Sequence, residues 1–211
     1  MALDDLLDEH EQGERVRSWL RKNALGLIGG VGLGLAVIFG WQAWQRSHVQ
    51  KKAQAHTDYA AAMESIDAGN LEQAHASVQA LAGENAVYED VAALRLAKAQ
   101  LLAGDRDAAI ATLRAVDADA DLAPVLNLRL ARLLIDAGQA DEALNVLGAA
   151  DDASSLEVRA DALVAAGKVD EARETYLKSL TGMDVAAPQR RLVELKLASV
   201  GGVAPKTAEP I

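Results

Sequence analysis

Histidines, cysteines and paired acids are the side chains that most often carry metal or acid–base chemistry, and here they fall in no working arrangement. There is no cysteine, which excludes a disulfide framework and a thiolate metal site and fits either a reducing or an oxidising compartment. His10, His48, His56 and His75 are scattered, and none stands in a His-rich or His-Glu-x-x-His pattern. A metal needs ligands brought to one point by short, regular spacing. No Gly-x-Ser-x-Gly element, phosphate loop or Ser/His/Asp grouping occurs. The glycines between 26 and 34 share the spelling of a dinucleotide loop, but no strand precedes them and they lie in an apolar run. Asp4-Asp5 and Asp151-Asp152 read as solvated turns or helix starts. The expectation is a protein that is not an enzyme, with no catalytic residue, no cofactor and no metal. What remains is binding.

The elements that would position binding residues come from an internal repeat. Four stretches share one form: Gly69-Asn-Leu-Glu-Gln-Ala74, Gly104-Asp-Arg-Asp-Ala-Ala109, Gly138-Gln-Ala-Asp-Glu-Ala143 and Gly167-Lys-Val-Asp-Glu-Ala172. The Gly-to-Gly steps are 35, 34 and 29 residues. Each glycine follows an apolar helical run and suits a helix that ends in a left-handed conformation. An acid stands three residues on (Glu72, Asp107, Asp141, Asp170), where the next helix exposes its first N–H groups and the positive end of its dipole. Each closing alanine has a partner twelve residues earlier: Ala62, Ala97, Ala131 and Ala160. Small residues at both places let the two helices of a unit cross closely. A larger side chain follows four places after each closing alanine, as Val78, Leu113, Leu147 and Tyr176.

Helix, tight turn, helix at this period resembles the tetratricopeptide repeat. The aromatic residue near the start of the first helix and the closing proline of that family are absent, and the last step is five residues short. The predicted fold is all-α: a divergent tetratricopeptide-like helical-repeat solenoid of roughly four units over residues 47–182. Pro188 opens one more helix, Gln189–Ser199, with Leu192, Val193, Leu195 and Leu197 apolar. It is expected to cap the open face of the last unit. First helices of such units line a concave groove. The register places Leu94, Lys98 and Leu101 of unit two there, with Leu128, Arg132 and Ile135 of unit three. Tyr59 and Met63 hold the matching places in unit one, and Glu157 and Asp161 in unit four. An apolar floor with Lys98 and Arg132 at its centre is a candidate groove for an extended or helical peptide segment. Pairing of the two cations with neighbouring acids as a solvated surface is the open alternative.

Before the repeats, the 23 residues from Asn23 to Gln45 carry no charge. A membrane span needs about 20 predominantly apolar residues, so this stretch is expected to be a single transmembrane helix in a lipid bilayer. Trp19 precedes it, and Trp41 and Trp44 close it; indole rings favour the membrane–water interface. A buried core helix and a cleaved signal peptide are the competing readings. The first rarely stays uncharged all round, and the second has a shorter apolar region and a less acidic leader. Gly26, Gly30 and Gly34 are spaced by four and share one face, where bare backbone admits a second transmembrane helix. That helix could come from another copy, by self-association, or from another protein.

The expected organisation is therefore a cytoplasmic tail over 1–22, the transmembrane helix over 23–45, a repeat domain over 46–200 and a disordered tail over 201–211. Leu3, Leu6, Leu7, Val16, Trp19 and Leu20 give the first tail roughly helical spacing. No Gly or Pro interrupts Ser47–Ala68, so the span can continue as one helix. The formal net charge is −10, which repels nucleic acid, and no nucleic-acid partner is expected. Arg15, Arg17, Arg21 and Lys22 before the span, against Arg46, Lys51 and Lys52 after it, lean weakly towards a cytoplasmic N-terminus.

One family combines these features in this order. A glycine-rich span ends in Gly40-Trp41-Gln42-Ala43-Trp44; the repeat domain contains Asn127-Leu-Arg-Leu-Ala-Arg132; a late helix carries Leu195-Lys196-Leu197. The chain resembles the YfgM-like family of ancillary subunits of the bacterial SecYEG translocon over nearly its whole length. The resemblance implies a single-pass protein of the bacterial inner membrane with its repeat domain in the periplasm. It implies SecYEG, the periplasmic chaperone PpiD and translocating polypeptides as partners, and a role in passing emerging chains to folding factors. The alternative is a membrane-anchored repeat scaffold for another periplasmic assembly process, such as cytochrome c maturation.

Overall fold

The computed structural model describes residues 2–82 and 86–205, with side chains from residue 13 onward except those of residues 52 and 86. The side chains of Leu3, Asp4, Asp5, Leu6, Leu7 and His10, and positions 206–211 of the expected disordered tail, lie outside the described residues. Among the described residues there are nine α-helices and no strand: α1 (Ala2–Asp67), α2 (Leu71–Ala80), α3 (Ala86–Leu102), α4 (Arg106–Arg114), α5 (Ala123–Asp136), α6 (Ala140–Leu147), α7 (Ala153–Ala165), α8 (Val169–Gly182) and α9 (Arg190–Ser199). The chain divides into two compact units, residues 1–53 and 54–211.

The first unit is helical from Ala2 onward, all of it part of α1. It contains a stretch long and apolar enough to cross a membrane, with mean hydropathy 2.0 and none of it buried. A core helix would be covered, so the exposure of Leu25, Ile28, Leu33 and Phe39 removes that reading. At about 25 cal/mol per Å² of apolar surface, leaving such a row in water is costly; lipid is the solvent that suits it. The Trp41 and Trp44 ring centres lie 5.2 Å apart, and the Trp44 ring meets His48 edge-on at 4.4 Å. A Cβ placed on Gly26, Gly30 or Gly34 would meet nothing within 4 Å.

The second unit is the helical array that the repeat predicts. Gly69, Gly104, Gly138 and Gly167 all have left-handed φ, between 75° and 86°. Each closes its helix with the same two backbone bonds. At Gly104, its own N–H donates to Leu101 O and the Asp105 N–H to Gln100 O, at 3.0 and 2.9 Å. The pair satisfies carbonyls that a helix end would otherwise leave bare. Glu72, Asp107, Asp141 and Asp170 then fall in the first turns of α2, α4, α6 and α8.

The eight register alanines are all buried: Ala62, Ala97, Ala131 and Ala160 on first helices, Ala74, Ala109, Ala143 and Ala172 on second helices. Val78, Leu113, Leu147 and Tyr176 are buried beside them. The core follows as three clusters along the array. One joins Ala62 and Ile66 with α2 and α3, a second runs from α3 to α7, and a third unites α7, α8 and α9. The short last step comes mainly from the α6–α7 connection, residues 148–152, which is tighter than the α4–α5 connection over 115–122; α6 and α7 are each one residue shorter than α4 and α5. Asp152 caps α7 there by accepting from the Ser154 and Ser155 N–H groups, and the Arg159 guanidinium donates to the carbonyls of Gly148 and Ala150.

α9 begins at Arg190, one residue later than expected, and covers α8 with only one face. Val193 and Leu197 are fully buried, whereas Leu192 and Leu195 are exposed on the face turned away from α8. Buried Arg190 holds α9 in place by donating to the carbonyls of Leu180 and Met183 at the end of α8, at 2.9 and 3.1 Å.

Candidate functional site

A cleft of about 790 Å³ opens between α3 and α5, the first helices of units two and three. Both helices end in the same left-handed glycine closure and are pinned to their second helices by buried alanines, so their outer faces stand in matched register. Val91, Leu94 and Leu101 of α3, Leu113 of α4, and Val125 and Leu133 of α5 form its apolar lining. Leu101 and Val125 remain 42% and 40% exposed, so the floor is open to a ligand.

The polar lining is cationic. Arg95 and Lys98 stand one helical turn apart on α3, and Arg129 and Arg132 stand one turn apart on α5. Asp136 is the acid among the lining residues. Arg132 reaches Glu157 at 3.6 Å and Arg95 reaches Asp67 at 3.4 Å. Among the described residues Lys98 and Arg129 make no ion pair. Such an arrangement can hold an apolar segment and attract carboxylates at its rim; it offers no nucleophile held against a base.

The residues expected in a groove divide four ways. Leu94, Lys98, Leu101 and Arg132 line the cleft together. Leu128 and Ile135 are half-buried against the central core cluster instead. Tyr59 and Met63 pack on the first cluster, where the Tyr59 ring stacks on Tyr88 with centres 5.1 Å apart. In unit four, Glu157 and Asp161 are already engaged. The Lys196 ammonium of α9 donates to Glu157 Oε1 at 2.7 Å and to Asp161 Oδ2 at 2.6 Å, and the Tyr176 hydroxyl donates to Asp161 Oδ1. Burial alone would lower the Lys196 pKa, but the two carboxylates outweigh it and raise it. Burial, reinforced by Asp161, pushes the Tyr176 hydroxyl well up. Lys196, reaching from the capping helix, thus occupies the acids that unit four would have offered to a groove.

Arg95 and Arg129 are the cleft cations that the groove register did not single out, and Val91, Val125, Leu133 and Asp136 were missed beside them. A signal existed for the two arginines: each lies one repeat from the other, as Lys98 and Arg132 do. Among the described residues, no group of three or more His, Asp or Glu side chains is placed to hold a metal.

Residues 17–202 match the family model described as a tetratricopeptide repeat-like domain. A relative from Escherichia coli (strain K12), named "Ancillary SecYEG translocon subunit", is 28% identical over 124 residues, covering 57% of this chain and 60% of that protein. The chain therefore matches less than two thirds of that relative's length. The solved structure of MamA MSR-1 C2 is 19% identical, with a TM-score of 0.47, over 70% of this chain and 84% of that one.

Proposed function

The chain belongs to the tetratricopeptide repeat-like domain family, and from that premise we propose that it is a membrane-anchored repeat scaffold at the bacterial protein-translocation channel. The observation that carries this is the Escherichia coli relative, a named ancillary subunit of the SecYEG translocon. The exposed apolar stretch of α1 supports it, since a subunit of a membrane channel needs a membrane anchor.

In this reading the chain crosses the inner membrane once, with residues 1–22 in the cytoplasm and the repeat domain in the periplasm. The four cations before the span against three after it support that orientation. The Gly26, Gly30 and Gly34 face contacts a transmembrane helix of a partner, and Trp19, Trp41 and Trp44 sit at the two interfaces. The repeat domain binds emerging polypeptide and passes it to periplasmic folding factors, with PpiD as the membrane-anchored chaperone beside it. The α3–α5 cleft supports a binding role rather than a catalytic one. Anchoring near the channel exit raises the effective concentration of each emerging chain, so weak contacts suffice.

Affinity purification of the full-length protein from its native membrane in mild detergent, with partners identified by mass spectrometry, tests this. Recovery of SecYEG and PpiD is expected. Enrichment of a different complex, such as cytochrome c maturation proteins, would overturn the Sec assignment and leave the anchored repeat architecture standing.

A further inference from the structure

The α3–α5 cleft concentrates positive charge in a chain whose formal net charge is −10. Arg95, Lys98, Arg129 and Arg132 face it together with Asp136. Clustered like charges repel and invite an anionic partner. Neutralisation within the chain is thin. Arg95–Asp67 at 3.4 Å joins two exposed side chains, Arg132–Glu157 spans 3.6 Å, and Lys98 and Arg129 have no acid within ion-pair distance among the described residues. The neighbouring unit shows the contrast: Asp161 holds the place of Lys98 and Arg132, and there Lys196 neutralises it.

We propose that this cleft binds a polypeptide segment in which carboxylates alternate with aliphatic side chains. The proposal rests on the reading of the repeat domain as a polypeptide-binding scaffold and names the class of segment it takes. Leu94, Leu101 and Val125 supply the apolar contact. The cations form two levels, Arg95 with Arg129 and Lys98 with Arg132, separated by one helical turn or about 5 Å. Carboxylates two residues apart on an extended segment are about 7 Å apart, which long, flexible cationic side chains accommodate. Arginine adds a planar fork that matches a carboxylate's two oxygens.

The test measures fluorescence anisotropy of labelled peptides on the full-length protein in detergent, using alternating Leu–Glu, Leu–Gln and Leu–Lys sequences. The Leu–Glu peptide is expected to bind about tenfold more tightly than Leu–Gln, and to lose that advantage in high salt. Lys98→Gln with Arg129→Gln, at two exposed positions, should bring Leu–Glu down to the Leu–Gln level. Lys98→Glu with Arg129→Glu should turn the preference towards Leu–Lys, an outcome that only a folded variant can give. Equal binding of all three peptides, or of none, overturns the proposal, while the Sec association is decided separately by co-purification. A second copy occupying the cleft would show as a change of oligomeric mass in the charge-reversed variant with no competition from Leu–Glu, and that also overturns it.

Discussion

Lys196 on α9 reaches Asp161 on α7, with Nζ 2.6 Å from Oδ2, and so fastens the capping helix onto the unit it covers. The same ammonium holds Glu157 at 2.7 Å, and both carboxylates are mostly shielded from water. Removing the cation strands two half-buried charges. Lys196→Met is expected to lower stability by about 1–3 kcal/mol at neutral pH, seen as an earlier thermal transition by circular dichroism. The sign with pH follows from the raised lysine pKa. The contribution is complete below the ordinary value of 10.5 and fades as pH rises through the higher folded value. Wild type and Lys196→Met should therefore converge in strong alkali; a constant gap there would show that the loss is one of packing alone.

Asp90 shares the pH direction, since its pKa is also raised, but here the charged form weakens the fold. It is fully buried on α3, its Oδ2 accepts the Asp119 N–H at 3.0 Å, and its Oδ1 has no hydrogen-bond partner among the described residues. Burial is the main cause of its raised pKa; the Asp119 N–H opposes it, and the Asp119 and Asp117 carboxylates add to it. A carboxyl whose folded pKa lies above the unfolded value weakens the fold when charged. Stability tied to this group should rise as pH falls through the folded value and level off near 3.8. Asp90→Asn keeps an acceptor for Asp119 without the charge. It is expected to stabilise the protein at neutral pH, with the advantage shrinking in acid. Destabilisation at every pH would mean that the charged form is required.

Much of the array was legible in the residues because tetratricopeptide-like packing makes local demands. A left-handed helix end selects glycine at 69, 104, 138 and 167, and a close helix crossing selects alanine at the eight places that prove buried. Both demands act through the backbone and leave a fixed spelling. The uninterrupted α1 followed from the lack of Gly and Pro in Ser47–Ala68. The cleft was less legible. Side chains on a first helix face a groove only where the next element leaves it open, and that depends on distant residues. Lys196 occupies the acids of unit four from 39 residues beyond Glu157. Leu192 and Leu195 look like core in a short apolar helix, yet they are exposed because only the Val193–Leu197 face of α9 meets the third core cluster.

The end of α9 separates two reasons for glycine. Gly201 has φ 75°, a conformation that penalises any Cβ. At Gly202 a Cβ would lie 2.1 Å from Leu197 Cδ1, which is fixed in the third core cluster. Gly167 has the first constraint alone, with open space around it. Gly167→Ala should cost about 1 kcal/mol, and Gly202→Ala about 1–3 kcal/mol because Leu197 must move. Thermal unfolding of the two variants side by side gives the comparison; equal shifts would mean that Leu197 gives way freely.

The glycine face of the span makes the last prediction, because it isolates an intermolecular role. A Cβ at Gly30 meets nothing within 4 Å, so Gly30→Leu strains no contact within the chain. It also replaces a poor helix former with a good one. Helix content and the unfolding transition of the repeat domain should be unchanged. If Gly26, Gly30 and Gly34 form a contact surface, the leucine side chain holds a partner helix away from the backbone, where close approach supplies the attraction within lipid. Recovery of a membrane partner in mild detergent should then fall several-fold, while Ile28→Leu, an exposed substitution outside the glycine triplet, leaves it intact. Equal recovery with both variants would mean that these glycines serve the helix itself and not a neighbour.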